Sequence, residues 1–323
     1  MSMLANLTDC IETELVEVKE RFERELVSDF DCVGTLVRHV SRFRGKMLRP
    51  TLLLLTARAC GKITDAHLTL ATVVEMVHMA TLVHDDVLDD AELRRKGATI
   101  NHLRGNEAAV LLGDYLISHS YHLCSSLDSQ IASRLIAHTT NQVCEGELLQ
   151  LHNRNNLDLD EETYLNIISR KTAILCATSC SLGARFADAD EALIAHMHGY
   201  GMSLGMAFQI QDDILDIVGD PDQVGKTLGS DVEKVKLTLP TIHFMRTAPR
   251  EHRLLLRSLL KGHDPEKIEK IRNLILPSRS INYAREKARA LVDEAREAVD
   301  QLPISDARRT LESIAEFVIQ RPM

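Results

Sequence analysis

Chain breakers are rare, and their scarcity constrains the fold more than any other feature of the sequence. The 323 residues include only 15 Gly and 8 Pro, the two residue types that most often interrupt regular structure. Long segments between them carry apolar residues at helical spacing, whereas the alternation typical of strands is nearly absent. Helices are predicted over 3–26, 47–60, 65–92, 105–127, 129–153, 160–185, 189–219 and 280–300. We therefore predict an all-α fold, with one domain over residues 1–323, because no repeat or low-complexity linker divides the chain.

Composition excludes several classes of protein. The formal net charge is −9, whereas a nucleic-acid binder or a polybasic membrane anchor needs a basic surface. Seven Cys, an odd number with no CxxC pair, argue against a disulfide framework. The N-terminal segment is acidic and has no apolar run typical of a signal peptide, and no uncharged stretch is long enough for a membrane span. We expect a cytoplasmic protein without a transmembrane segment.

Two aspartate clusters share the spacing DDxxD. HDDVLDD and QIQDDILD each follow several turns of mostly apolar helix. Carboxylates one turn apart repel each other, and a single cluster of this kind is often only a solvated acidic helix end. The same spacing on two different apolar helices favours a divalent cation, because Mg²⁺ prefers oxygen ligands and commonly shares them with substrate phosphates. If the two clusters faced each other across a cavity, they would hold Mg²⁺ around a diphosphate. The candidate ligands are Asp85, Asp86, Asp89, Asp212, Asp213 and Asp216.

Basic residues in short motifs supply the cations that a diphosphate requires. Arg side chains bind phosphate oxygens through two donors, and Lys acts as a point charge. Each of these residues taken alone is more often a solvated surface charge than a phosphate ligand. GKTLGSD is not a phosphate-binding P-loop, because the GxxxxGK[ST] spacing is absent and no strand precedes it. The motifs are GKMLRP with Lys46 and Arg49, RRKG with Arg94 and Arg95, SRKTA with Lys171 and Thr172, VGKTLGSD with Lys226 and Asp231, and KVKLTLP with Lys236.

Together these motifs resemble those of the trans-isoprenyl diphosphate synthases. HDDVLDDAELRR, GKMLRP, EGELLQL, SRKTA, FQIQDDILD and GKTLGSD occur in that family's order over roughly residues 40–245. Within the family the chain is most similar to the bacterial long-chain polyprenyl synthases. The resemblance implies a bundle of long antiparallel helices around a central cavity, the isoprenoid synthase type of fold. It also implies a trans-prenyltransferase that joins isopentenyl diphosphate to an allylic diphosphate.

The resemblance also assigns roles to individual residues. The six aspartates would bind two or three Mg²⁺ ions with the allylic diphosphate, and with Lys171 they form the expected catalytic set. Further contacts to the allylic diphosphate are expected from Arg94, Lys171, Thr172, Gln209 and Lys226. The pocket for isopentenyl diphosphate is expected to contain Lys46, Arg49, His78 and Arg95. Of these, His78 is isolated in an apolar helix, where a histidine is more often a satisfied core residue.

Residues one turn before the first aspartate are expected to set product length. A growing apolar tail would run along the long helix away from Asp85 and pass Thr81, Ala80 and Val77. The short-chain members of the family commonly carry a bulky aromatic residue at this level. Ala80 is small, so a long-chain product is expected, unless Ala80 serves only to let two helices pack closely.

The remaining expectations concern primer, product and partners. The allylic primer would be farnesyl or geranylgeranyl diphosphate, and the all-trans product would supply quinone side chains. The family resemblance and the apolar face from Gly105 to Leu127 predict a homodimer, and product release would involve a transient membrane contact. Three alternatives stay open: a shorter-chain synthase, a class I terpene cyclase, and a non-catalytic subunit of a hetero-oligomeric synthase. The complete second DDxxD argues against the last two.

Overall fold

The computed structural model describes residues 8–42, 45, 47–94, 97–219, 229–262 and 264–320. Within those residues, regular structure is helical apart from one short hairpin. The first elements are a 3₁₀ turn (Asp9–Ile11), α1 (Glu12–Glu25), α2 (Asp31–Ser41), α3 (Leu48–Cys60), α4 (Asp65–Leu88), β1 (Leu93–Arg94), β2 (Gly97–Ala98), α5 (Ile100–Arg104), α6 (Asn106–Ser125) and α7 (Gln130–His152). The others are α8 (Glu161–Ile168), a π-helical turn (Ser169–Ala173), α9 (Ile174–Arg185), α10 (Glu191–Val218), α11 (Ser230–Glu233), α12 (Leu239–Thr247), α13 (Arg250–Lys261), α14 (Lys267–Ile275), α15 (Ser280–Val299) and α16 (Asp306–Ile319). The prediction of an all-α fold is confirmed.

The chain forms two compact units, each built from separate chain segments. One contains Met1–Thr140, Leu175–Gly201 and Val299–Ile314, and the other contains Asn141–Ile174, Met202–Ala298 and Ala315–Met323. We refer to them as the first and second units. A division of this kind does not test whether the chain folds as one domain, which stays a prediction.

Helix α4 is the central element of the first unit. It packs against α1, α3 and α6, and its residues 68–77 are all buried. The helix begins with a capping box in which Thr64 and His67 satisfy each other's free backbone donors. It is long and apolar enough to span a membrane, yet 78% of its most apolar window is buried inside the structure. Burial of that extent is typical of a core helix in a soluble protein.

The second unit has a core of its own. The C-terminal part of α10 supplies Ile210, Ile214 and Ile217, and α12 supplies Phe244. Leucines and isoleucines of α13 and α14, together with small residues of α15, complete this core. Helix α8 begins at a capped N-terminus, where Asp160 accepts the backbone N–H of Thr163 at 2.7 Å.

Candidate active site

The first aspartate motif lies at the C-terminal end of α4. Asp85 and Asp89 are half-buried, whereas Asp86 is buried, with only 5% of its surface exposed. Oδ1 of Asp86 accepts a hydrogen bond from Nε of Arg94 at 2.8 Å and forms an ion pair with Nη2 at the same distance. Burial raises the pKa of Asp86, and Arg94 opposes that shift. Arg94 therefore lies against the motif, as expected of a residue serving the same site.

Side chains of α5 and its N-cap hydrogen-bond to the backbone of the segment that follows α4. Asp90 has φ = 48°, a left-handed conformation that aspartate tolerates better than most residues. Nδ2 of Asn101 donates to the carbonyls of Asp86 and Ala91 at 3.2 and 3.1 Å. The hydroxyl of Thr99, the N-cap of α5, also donates to Ala91 at 2.5 Å. These contacts fix the chain that carries Arg94 and the hairpin.

His84, the residue before the first aspartate, connects α4 to α6. Its Nε2 lies 3.1 Å from the carbonyl oxygen of Val110 and 3.5 Å from Oδ1 of Asp114. Gly113 makes room for the imidazole, because a Cβ at that position would lie 2.1 Å from Nε2. The close packing of α4 against α6 therefore fixes the position of the residue that precedes the first aspartate motif.

The second aspartate motif ends α10 and has the same pattern of burial. Asp212 and Asp216 are half-buried, whereas Asp213 is buried. Oδ2 of Asp213 accepts the hydroxyl of Tyr164 at 2.6 Å, and Oδ1 accepts Nε2 of Gln209 at 2.8 Å. Burial raises the pKa of Asp213, and the nearby negative charge of Asp231 raises it further.

The segment that follows the second motif returns to it. The backbone N–H of Asp231 donates to Oδ2 of Asp216 at 3.2 Å. The N–H of Gly229, at φ = 76°, donates to the Asp216 carbonyl at 3.0 Å. The second aspartate motif and the last residues of GKTLGSD therefore meet in the second unit. Lys226 lies outside the described residues.

The SRKTA motif forms the π-helical turn between α8 and α9. Such turns occur frequently at functional sites. Nζ of Lys171 donates to Oε1 of Gln150 at 3.0 Å and forms an ion pair with Glu147. The hydroxyl of Thr172 donates to Oε1 of Gln209 at 3.0 Å. The predicted allylic residues Lys171, Thr172 and Gln209 therefore lie near the second aspartate motif.

The EGELLQL motif requires its glycine, Gly146, for close packing. A Cβ at this buried position would lie 2.6 Å from the backbone nitrogen of Lys171 and 2.9 Å from Cβ of Arg170. Only glycine lets α7 approach the π-helical turn this closely. The same motif supplies Glu147 and Gln150, which contact Lys171.

The predicted pocket for isopentenyl diphosphate is only partly described. Arg49 lies in the first turn of α3, after Met47 with φ = 54°. Nε of Arg49 is buried and has no hydrogen-bond partner within the described part of the chain. His78 is half-buried on α4, and Lys46 and Arg95 lie outside the described residues. A buried guanidinium donor without a partner suits an anionic ligand.

The predicted chain-length residues lie on α4 within the first unit. Val77 and Ala80 are fully buried, and Thr81 is half-buried. Leu123 and Cys124 of α6 and Ile136 of α7 are also buried in this unit. The burial of these side chains is consistent with two roles. They could form an apolar wall along a growing tail, or they could only let the helices pack closely.

Each aspartate motif by itself suits a divalent cation held together with a substrate. Among the described residues, no three His, Cys, Asp or Glu side chains converge on one point as a metal-binding group. Mg²⁺ seldom needs such a cage, because it usually keeps several waters and binds one or two carboxylates plus substrate phosphates. The half-buried carboxylate oxygens of each motif fit this behaviour.

The chain is similar in sequence and in structure to known proteins of one family. Residues 31–276 match the family model described as polyprenyl synthetase. Octaprenyl diphosphate synthase of Escherichia coli (strain K12) is 32% identical over 319 residues, which cover 98% of this chain and 99% of that protein. A decaprenyl diphosphate synthase from Rhodobacter capsulatus has a crystal structure that superposes with a TM-score of 0.93. It is 32% identical and covers 98% of this chain and 99% of its own.

A second crystal structure shows which ligands a relative binds. Polyprenyl synthase from Caulobacter crescentus CB15, in complex with calcium and isoprenyl diphosphate, superposes with a TM-score of 0.92. It is 32% identical, covering 99% of this chain and 98% of that one. The chain belongs to the polyprenyl synthetase family, and the expected isoprenoid synthase type of fold is confirmed. Its relatives are diphosphate synthases, and the chain is accordingly an enzyme of the prenyltransferase class.

Sequence analysis overlooked one residue at this site. Tyr164, whose hydroxyl contacts Asp213, belongs to none of the motifs singled out above. Its signal in the sequence was weak: a lone tyrosine on an apolar helix seven residues before Lys171.

Proposed function

We propose that this enzyme extends an allylic diphosphate with isopentenyl diphosphate to give a long-chain all-trans polyprenyl diphosphate. The observation that carries the proposal is the complete DDxxD motif at the ends of α4 and α10, in a chain of this family. Farnesyl or geranylgeranyl diphosphate is the proposed primer. The names of relatives, octaprenyl and decaprenyl synthases, favour a product on the order of six to ten isoprene units, used for quinone side chains.

The proposed cofactor is Mg²⁺, with two or three ions bound per active site. Members of this family use a divalent metal, and a relative binds calcium. The proposed ligands are the aspartates of both motifs, and four of them have half-buried side chains. The six are Asp85, Asp86, Asp89, Asp212, Asp213 and Asp216, of which Asp86 and Asp213 are buried. When bound, the metal neutralises the negative charge that develops on the leaving diphosphate.

The protein's own residues would bind and orient the two substrates. Lys46, Arg49, His78 and Arg95 are proposed to bind isopentenyl diphosphate. Arg94, Lys171, Thr172, Gln209 and Lys226 are proposed to bind the allylic diphosphate. Fixed cations at these positions stabilise the leaving group's charge where it develops, and apolar walls keep water from the allylic cation.

The reaction joins the substrates in one balanced sequence. The C–O bond of the allylic diphosphate breaks, and diphosphate leaves with the electron pair. The double bond of isopentenyl diphosphate, held nearby, supplies the electrons of the new C–C bond. A proton then leaves the condensed product and restores a double bond, and the departing diphosphate is a suitable acceptor.

The enzyme is further proposed to be a cytoplasmic homodimer that touches membranes only transiently, to release its product. Val110 and Leu111 of α6 support the dimer, because 41% and 68% of their surfaces are exposed. A large product tail supports the membrane contact, since polyprenyl chains partition into lipid.

Two substitutions and a chelator test the function. Asp85→Ala and Asp212→Ala should each lower turnover by orders of magnitude, because each removes a proposed metal ligand. A chelator should abolish turnover, and added Mg²⁺ should restore it. The control is Asp293→Ala, which removes an exposed carboxylate on α15 and should leave turnover unchanged. Near-normal turnover of either motif variant would overturn the assignment.

A further inference from the structure

One buried hydroxyl group of the second unit contacts the second aspartate motif. Tyr164 is 3% exposed, and its hydroxyl donates to Oδ2 of Asp213 at 2.6 Å. Burial raises the pKa of Tyr164 well above its usual range, and the negative charge of Asp213 raises it further. The hydroxyl therefore connects α8 to the second aspartate motif.

The other oxygen of Asp213 continues the network. Nε2 of Gln209 donates to Oδ1 of Asp213 at 2.8 Å, and Oε1 of Gln209 accepts the Thr172 hydroxyl at 3.0 Å. Tyr164 and Thr172 lie on one run of helix, so this run contacts α10 at two points. Both carboxylate oxygens of Asp213 are thus satisfied within the protein, as a buried carboxylate requires.

The hydrogen bonds that hold Asp213 also affect the orientation of the other two aspartates of the motif, Asp212 and Asp216. Successive residues on a helix point about 100° apart, so the anchored side chain of Asp213 helps the buried isoleucines of α10 to fix the rotation of its last turns. Asp212 and Asp216 follow on the same rigid turns. Their directions therefore depend on the hydrogen bonds that hold Asp213.

We infer that Tyr164 is a positioning residue, which orients the second aspartate motif for binding a divalent cation with the allylic diphosphate. The inference rests on the proposed function and adds a residue outside the catalytic motifs. Outer groups that hold a metal ligand by a hydrogen bond commonly change metal affinity or activity about 10- to 100-fold when removed.

Tyr164→Phe tests the inference, with Tyr200→Phe as the matched control. Both tyrosines are buried, and Tyr200 donates its hydroxyl to the carbonyl of Leu311 at 2.9 Å in the first unit. Each substitution removes one buried hydroxyl and keeps the ring. Steady-state turnover is measured against Mg²⁺ at saturating substrates, then against each substrate at saturating Mg²⁺, with thermal unfolding of both variants alongside.

We expect Tyr164→Phe to raise the Mg²⁺ concentration for half-maximal turnover about 10-fold or more. The KM for the allylic substrate should rise with it, while the KM for isopentenyl diphosphate stays within about twofold of the parent. Tyr200→Phe should lower the melting temperature without moving the Mg²⁺ dependence. If both variants kept the parent's Mg²⁺ dependence, Tyr164 would be only a structural residue and the inference would be wrong.

A second measurement covers the case in which Tyr164→Phe does not fold. The protein has five tyrosines, so 3-fluorotyrosine labelling gives five fluorine resonances, assigned by elimination with Phe variants at the other four. Adding Mg²⁺ with inorganic diphosphate should shift the Tyr164 resonance, and an unmoved resonance would overturn the inference. An unmutated protein that makes no product with Mg²⁺ and both substrates would instead refute the proposed function.

Discussion

Each aspartate motif divides its carboxylates between two environments. The middle residues, Asp86 and Asp213, are buried and hydrogen-bonded to protein groups, whereas the outer residues are half-buried. A buried carboxylate without partners would cost several kcal/mol, so the hydrogen bonds from Arg94, Tyr164 and Gln209 stabilise the fold at these positions. The outer aspartates keep the solvent access that a metal bound with substrate requires.

Close packing at Gly146 gives a prediction at the scale of one residue. Gly146→Ala would place a Cβ against the backbone of Lys171, which cannot move without distorting the π-helical turn. We expect a loss of about 1–3 kcal/mol in the free energy of unfolding and a higher KM for the allylic substrate. Chemical denaturation and steady-state kinetics measure the two effects.

The control for Gly146→Ala is Gly199→Ala, inside α10. A Cβ there would meet nothing within 4 Å, so this change should be neutral or stabilise by up to about 1 kcal/mol. If both variants behaved alike, the contact between α7 and the π-helical turn would not matter for the site.

The helices themselves were largely predictable from the sequence. Long apolar periodicity located α4, α6 and α10 to within a few residues, because burial of one helical face leaves a clear pattern. The prediction over 65–92 extended too far, since the left-handed Asp90 and the hairpin follow Leu88. Short elements such as α2 and the hairpin leave too little pattern to be recognised.

The site was less predictable than the helices. The spacing DDxxD indicated candidate metal ligands, yet it could not show that Asp86 and Asp213 are buried, because burial depends on partners distant in sequence. Tyr164 is 49 residues from Asp213. The π-helical turn at SRKTA was likewise hidden inside the helix predicted over 160–185, since its apolar pattern continues without interruption.

Helix α4 gives a prediction about product length. Ala80→Tyr should insert a ring into the path of the growing tail and truncate the product to roughly three or four isoprene units. The first condensations should stay fast, because the proposed metal and phosphate ligands are untouched. Mass spectrometry of the products measures the distribution.

Thermal unfolding of the Ala80→Tyr variant separates the two interpretations of Ala80. A ring in a tunnel needs little rearrangement, whereas a ring forced into closely packed helices should cost about 1–3 kcal/mol. A stable variant with the parent's product distribution would contradict the proposed tail path.

At the scale of the whole molecule, the exposed apolar side chains of α6 predict self-association. Light scattering should give twice the 36.2 kDa mass of one chain at micromolar concentration. Leu111→Glu should shift the protein toward monomer, because it places a charge in the proposed interface. Leu254→Glu, at a 57% exposed position on α13, should leave the dimer intact. A monomeric parent would refute the proposed assembly.

The central proposal is that this protein makes a long-chain product without a second kind of subunit. The length of the product that it forms tests this proposal most directly. The purified protein is incubated with Mg²⁺, farnesyl diphosphate and excess isopentenyl diphosphate, and the products are identified by mass. We predict a linear polyprenyl diphosphate on the order of six to ten isoprene units, formed by this chain alone and lost on chelation. A product that stops at geranylgeranyl diphosphate, a cyclised hydrocarbon, or no product without a second subunit would contradict the account.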